Sequence, residues 1–267
     1  MSIINIEFFS GALLRPVSFR VFLPNDVRIP PSELASNPHY QRPAKTLFLL
    51  HGYTNNSGEW FYGSSARYLA EKYNLALVCP NGENGFYLNG GATGSRYCDF
   101  VGQELVEYMR KTFGLAGGPE DTFIGGLSMG GFGALHTAFA FPENFGKTIA
   151  MSSALLIHEL PKIQPGQDNG VANYEYYRRC FGDLSQVEES DANPETQILK
   201  LKQESKKIPD IFMVCGTEDF LIERNRAFYR FLQQEGVPVF YEESPGTHNM
   251  QFWDAKLEPA IRWMLEV

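Results

Sequence analysis

Gly126-Leu-Ser128-Met-Gly130 places a serine between two glycines, where the apolar Phe123-Ile124 run gives way to the helix-forming run Ala134 to Ala138. A strand, a sharp turn and a helix together form the setting in which a serine hydroxyl is held out as a nucleophile. Such a turn is strained. A side chain two residues to either side of the serine would strike the adjoining strand or helix, so glycine is expected at both places. A serine hydroxyl is also a poor nucleophile near neutral pH. It needs a base within hydrogen-bond reach and a third group to orient that base.

The chain has five histidines. His39 lies in a Pro-rich loop, His51 precedes the serine by a whole lobe, and His158 sits in a polar stretch. His136 is on the helix after the turn, roughly two helical turns beyond Ser128, and reads as a packed helix residue. His248, in Ser244-Pro-Gly-Thr-His-Asn249, follows the serine on a loop after a later strand. The acid expected between them is Asp219 of Gly216-Thr-Glu-Asp-Phe-Leu221, preferred to Glu218 because the small turn before it suits a short carboxylate pointing inward. Both loops leave the carboxyl ends of strands, the edge where open α/β sheets gather ligands. Acyl transfer further needs donors for a tetrahedral oxyanion. The Met129 N–H, at a helix N-terminus, is one candidate. The Tyr53 N–H, brought close by Gly52, is the other, with His51 a structural residue of that loop.

The elements needed to position these groups are legible in outline. Two strands, Ile3–Phe9 and Pro16–Leu23, open the chain, and Pro24–Pro43 reads as a loop. Then come strand 46–50, helix 64–73, strand 75–79, helix 100–112 and strand 122–124, followed by strands 148–151 and 211–215, helix 223–235, strand 237–242 and helix 252–265. Short apolar strands alternating with amphipathic helices imply an α/β fold: a mainly parallel sheet of about eight strands, covered on both faces. We expect a single domain over 1–267. Residues 152–207 interrupt the rhythm and read as a cap-like insertion, with a long helical crossover as the alternative. Asn89–Cys98 is glycine-rich but reads as a rim loop rather than a phosphate-binding strand–helix junction.

Composition narrows the partners. With a formal net charge of −8 and scattered basic residues, neither nucleic acid nor an anionic membrane surface is expected. No apolar run approaches the ~20 residues that span a bilayer, and no secretory leader is evident at the start. The four cysteines, Cys79, Cys98, Cys180 and Cys215, are too dispersed for a disulfide framework or a metal site, so a reducing cytoplasm is expected. No metal or cofactor is called for. The expected partner is a small-molecule ester, and a homo-oligomer stays open.

Leu50-His-Gly-Tyr-Thr-Asn-Asn-Ser-Gly-Glu-Trp60, Gly126-Leu-Ser-Met-Gly-Gly-Phe-Gly-Ala134, Cys215-Gly-Thr-Glu-Asp-Phe-Leu221 and Gly246-Thr-His-Asn249 together resemble the esterase D-like branch of the α/β-hydrolases. The likeness runs from about Phe8 to Trp263 and leans to the tributyrin and feruloyl esterase type. It implies Ser128 as nucleophile, Asp219 as acid, His248 as base, and Met129 and Tyr53 as oxyanion donors, the roles already read from the residues. The activity it implies is a serine carboxylesterase acting on short-chain acyl or hydroxycinnamoyl esters through an acyl-enzyme. The alternatives are an S-formylglutathione hydrolase, an acyltransferase and a non-catalytic binding module. Trp60, Tyr97, Tyr174 and Tyr177 are the candidate substrate contacts.

Overall fold

Residues 2–26 and 30–267 are described by the computed structural model. Eight strands form one sheet in the order β1-β2-β4-β3-β5-β6-β7-β8. They are β1 Ser2–Ser10, β2 Arg15–Leu23, β3 Lys45–Leu50, β4 Leu75–Pro80, β5 Thr122–Leu127, β6 Lys147–Met151, β7 Asp210–Gly216 and β8 Val239–Ser244. The β1–β2 and β2–β4 pairings are antiparallel and all the others parallel. Because side chains alternate across a strand, the apolar run of β3 feeds two cores. Phe48 and Leu50 join one cluster, and Leu47 and Leu49 join the other.

The longer helices are α1 Ala66–Tyr73, α2 Leu105–Phe113, α3 Met129–Ala140, α4 Tyr174–Phe181, α5 Pro194–Gln203, α6 Ile222–Gln234 and α7 Met250–Leu265. Buried residues of α1 and α7 complete the core on one face of the sheet, and those of α2, α3, α5 and α6 complete the core on the other. Helices on both faces leave the loops at the strand ends free to carry a site.

Several local expectations need correction. Residues 24–43 are not wholly loop. Pro31–Ser36 is a short helix and Pro38–Gln41 a turn of 3₁₀-helix, capped by Asn37, whose side chain accepts from the His39 N–H. Residues 27–29 of that stretch lie outside the described residues. The helix expected over 100–112 already begins at Tyr97, so the glycine-rich segment does open a helix, and Phe100–Glu104 is π-wound. Strand β5 runs on to Leu127, pairing through both its glycines with β3 and β6. Strand β8 starts two residues late because Val237 donates its N–H to the Leu232 carbonyl, closing α6.

Candidate active site

Strand β5 ends one residue before Ser128, and α3 starts one residue after it. Ser128 takes φ 54° and ψ −118°, a backbone conformation that L-residues rarely adopt. The flanking glycines permit it. A Cβ on Gly126 would lie 2.3 Å from the Gly130 carbonyl oxygen, and one on Gly130 would lie 2.3 Å from that of Leu50. Backbone held this tightly presents the Ser128 hydroxyl at the partly exposed carboxyl edge of the sheet.

The other two groups arrive on neighbouring loops. Asp219 follows β7 and His248 follows β8, and the loops are joined backbone to backbone by the Thr217 N–H on the Ser244 carbonyl and the Glu218 N–H on the Gly246 carbonyl. His248 Nδ1 is 2.8 Å from Asp219 Oδ2, and His248 Nε2 is 2.9 Å from Ser128 Oγ. A carboxylate only accepts, so Nδ1 carries the proton. The Nε2 lone pair is then left facing the serine hydroxyl. Asp219 is buried, and burial alone would raise its pKa. Hydrogen bonds from His248 and from the Leu221 N–H, 2.8 Å from Oδ1, more than offset this and hold the carboxyl below its ordinary value. The arrangement can take a proton from a serine hydroxyl and stabilise the imidazolium that results.

Two aromatic rings bracket the imidazole. Trp253 meets it edge-on at 4.8 Å, and Phe220, 64% exposed, tilts over it at 4.6 Å. Asn249, the next residue, caps α7 by accepting the Phe252 N–H at 2.9 Å. Glu218, the acid not preferred, still has a part in the site. Its carboxylate accepts the Gly246 N–H at 2.6 Å, tying the acid loop to the histidine loop.

The Met129 N–H at the start of α3 and the Tyr53 N–H after β3 donate to no other group among the described residues. Both are therefore free to meet an oxyanion. Gly52 stands against the elbow: a Cβ there would lie 2.8 Å from Leu127 Cδ1 and 3.8 Å from Ser128 Cβ. His51 is buried, with Nε2 accepting the Gly82 N–H at 2.9 Å and Nδ1 2.8 Å from the Gly52 carbonyl oxygen. It is a fully partnered residue of the loop. Burial lowers its pKa.

The four expected substrate contacts are placed less usefully. Trp60 is 1% exposed and gives its Nε1–H to the Leu50 carbonyl, so it is an anchor for the loop and not a contact surface. Tyr177 is equally enclosed, with Asn169 on its hydroxyl. Tyr97 is buried and its hydroxyl receives Arg15 at 2.9 Å, while Tyr174 packs partly buried against the larger core. The α4 side chain that does approach the site is Tyr176, whose ring packs edge-on against Tyr53 at 5.6 Å. A cavity of about 770 Å³ lies away from the serine. It lies beside His136, Phe181 and Gln197.

Among the described residues, no cluster of histidine, cysteine and carboxylate side chains could hold a metal, and no helix is long and apolar enough to cross a membrane.

The family model described as "Putative esterase" matches residues 10–264. An acetyl esterase from Caldicellulosiruptor saccharolyticus is 41% identical over 267 residues, covering 100% of this chain and 99% of that protein. Among solved structures, the fluorophosphonate-binding serine hydrolase F of Staphylococcus aureus superposes with a TM-score of 0.83 at 28% identity, over 98% of each chain. An S-formylglutathione hydrolase from the same organism gives 0.81 at 28% identity, over 98% of each chain. A ferulic acid esterase at 21% identity (TM-score 0.75, over 98% of this chain and 96% of that one) shares the fold.

Proposed function

This chain belongs to the esterase family and is a serine carboxylic ester hydrolase of the α/β-hydrolase fold, and on that premise we propose that Ser128, His248 and Asp219 are its catalytic triad and short-chain acyl esters, acetyl esters foremost, its substrates. The observation that carries this reading is the unbroken hydrogen-bond relay from Ser128 Oγ through both nitrogens of His248 to the buried Asp219. The acetyl group is favoured by the acetyl esterase similar over the whole chain.

In this mechanism the Ser128 oxygen attacks the ester carbonyl carbon while His248 Nε2 takes the hydroxyl proton. The carbonyl oxygen becomes an oxyanion between the N–H groups of Met129 and Tyr53, in a position to be stabilised by both. Collapse expels the alcohol, to which His248 returns the proton, and leaves an acyl-serine. Water, deprotonated by His248, then attacks the acyl carbon, and the acid leaves as Ser128 regains its proton. Asp219 stays ionised throughout and holds the imidazole in place. Residues 152–207 belong, on this reading, to the same domain as a cap-like insertion that brings Tyr176 against the oxyanion loop.

A second reading, hydrolysis of the thioester S-formylglutathione by the same machinery, is favoured by the 28%-identical hydrolase of that specificity. The test is kcat/KM over p-nitrophenyl acetate to octanoate, tributyrin, methyl ferulate and S-formylglutathione, for wild type and Ser128→Ala. We expect acetate and butyrate esters to lead and Ser128→Ala to fall to background. A preference of more than about tenfold for the thioester, well over 1 kcal/mol, would replace the first reading with the second. Activity surviving in Ser128→Ala would remove both.

A further inference from the structure

We propose that Glu59 is a positioning residue: its carboxylate fixes the Gly52–Tyr53 segment so that the Tyr53 N–H faces the oxygen that becomes negative when Ser128 attacks. This rests on the triad reading above and adds to it the part that holds the second oxyanion donor in place.

Gly52 is held at both of its backbone polar groups. Its N–H donates to Glu59 Oε2 at 2.6 Å. Its carbonyl accepts His51 Nδ1–H at 2.8 Å and the Asn55 N–H at 3.3 Å. The chain contains no cis peptide among its described residues, and across a trans peptide the C=O and the following N–H point in opposite directions. A Gly52 carbonyl tied down on the His51 side therefore turns the Tyr53 N–H the other way. Residue 52 lies in van der Waals reach of the elbow, as the 3.8 Å from its hypothetical Cβ to Ser128 Cβ shows. The Tyr53 N–H meets no acceptor of its own among the described residues. It is a donor kept vacant next to the serine.

Glycine at position 52 lies close against the Leu127 side chain, and glycine leaves the peptide free to rotate. The tethers supply the stiffness that the residue lacks. Glu59 can do this because it is itself fixed. It opens the short helix Glu59–Gly63, its N–H donates to the Asn56 carbonyl at 3.0 Å, and Oε1 accepts Asn55 Nδ2 at 2.7 Å. Trp60, the next residue, locks that helix to the end of β3 through the Leu50 carbonyl.

A carboxylate so close to a developing oxyanion has an electrostatic cost, so its reach and its charge must be separated. Burial raises the Glu59 pKa, while the hydrogen bonds from Gly52 and Asn55 and the charge of His248, which becomes cationic in the same step, favour its ionised form. Glu59→Gln keeps the reach and removes the charge. Glu59→Asp keeps the charge and is one methylene too short for the Gly52 N–H.

The experiment measures kcat and KM for p-nitrophenyl acetate on the full chain, for wild type, Ser128→Ala, Glu59→Gln, Glu59→Asp and Asn55→Ala, with thermal melts of each. Positioning predicts that Glu59→Asp loses about 10- to 100-fold in kcat at nearly constant KM, somewhat less than deletion of an oxyanion donor outright. Glu59→Gln should stay within about threefold of wild type, since the hydrogen bond is retained. Asn55→Ala, an exposed change that loosens Glu59 without touching the core, should lower kcat about threefold and answers the question if Glu59→Asp does not fold. An active Glu59→Asp beside an impaired Glu59→Gln overturns the proposal in favour of a purely electrostatic role. Unchanged kcat in both Glu59→Asp and Asn55→Ala, or an effect confined to KM, overturns it as well. A wild type without esterase activity, or an active Ser128→Ala, would instead defeat the triad reading beneath it.

Discussion

Among the described residues, two imidazoles face the hydrogen-bearing atom of a nucleophilic side chain, and they differ in what stands behind them. His248 meets Ser128 Oγ at 2.9 Å, is partly exposed, and is backed by the carboxylate of Asp219. His136 meets Cys98 Sγ at 3.5 Å, is buried, and is backed by the backbone carbonyl of Asp191 at 2.9 Å from Nε2. Each third group selects a tautomer, because each can only accept. Only the carboxylate can also stabilise a cation. Burial outweighs the opposing pull of the Asp191 carbonyl and charge and lowers the His136 pKa to about 4, and it raises that of the Cys98 thiol to about 12. A nucleophile–histidine contact is thus not enough to make a site. The charge behind the ring and access to it decide whether protons can move.

Breaking the active side of this pair should have the largest effect. Asp219→Asn keeps the shape but offers an amide that can force the wrong tautomer on His248. We expect kcat to fall about 10⁴-fold with the fold intact, measured by ester turnover and a thermal melt. A loss under about tenfold would mean that Asp219 is not orienting the base.

The buried side should declare itself in stability. The folded pKa of His136 lies below its unfolded value of 6.5, so the unfolded chain binds the proton first and stability falls as pH drops from 6.5 towards 4. Between pH 6.5 and 5 this amounts to about 1.6 kcal/mol. Urea unfolding at the two pH values should show that loss in wild type and a smaller one in His136→Gln; equal slopes would contradict a buried neutral imidazole. Cys98→Ala should have the smallest effect. It should cost about 1–2 kcal/mol of stability, as a small cavity would, and leave kcat/KM unchanged. Wild type should resist thiol alkylation at Cys98 under native conditions, and rapid native-state labelling of that residue would remove the contrast.

Sequence carried the triad candidates a long way because each is announced by local chain geometry. Gly126 and Gly130 mark a turn that admits no side chain, and Asp219 and His248 each sit one short loop beyond an apolar strand. Parallel strands deliver such loops to a single edge, so order along the chain nearly implies nearness in space. The roles of Glu59, Glu218 and Phe220 were not legible. Each belongs to a polar or turn-rich segment with no periodicity: Glu59 acts through a loop contact to Gly52, and Glu218 and Phe220 act through long-range contacts to the histidine loop. Trp60 and Tyr177 failed in the opposite direction. Large aromatic side chains near a site motif are as able to anchor a loop as to meet a ligand, and the sheet and helices around these two left them no surface.

What the sequence determined by itself is what depends on neighbours along the chain: alternating apolar strands and amphipathic helices, glycines where Cβ atoms cannot fit, and the serine elbow between β5 and α3. What only the tertiary structure decided is what depends on atoms distant in sequence. It set the 2.8 Å contact between Asp219 and His248, gave the His136 ring the Asp191 carbonyl as its partner, and brought the Glu218 carboxylate to the Gly246 N–H. The physical reason is the same in each case. A side chain's charge, tautomer and pKa are set by the few groups within hydrogen-bond reach and by exclusion of water, and folding alone assembles both.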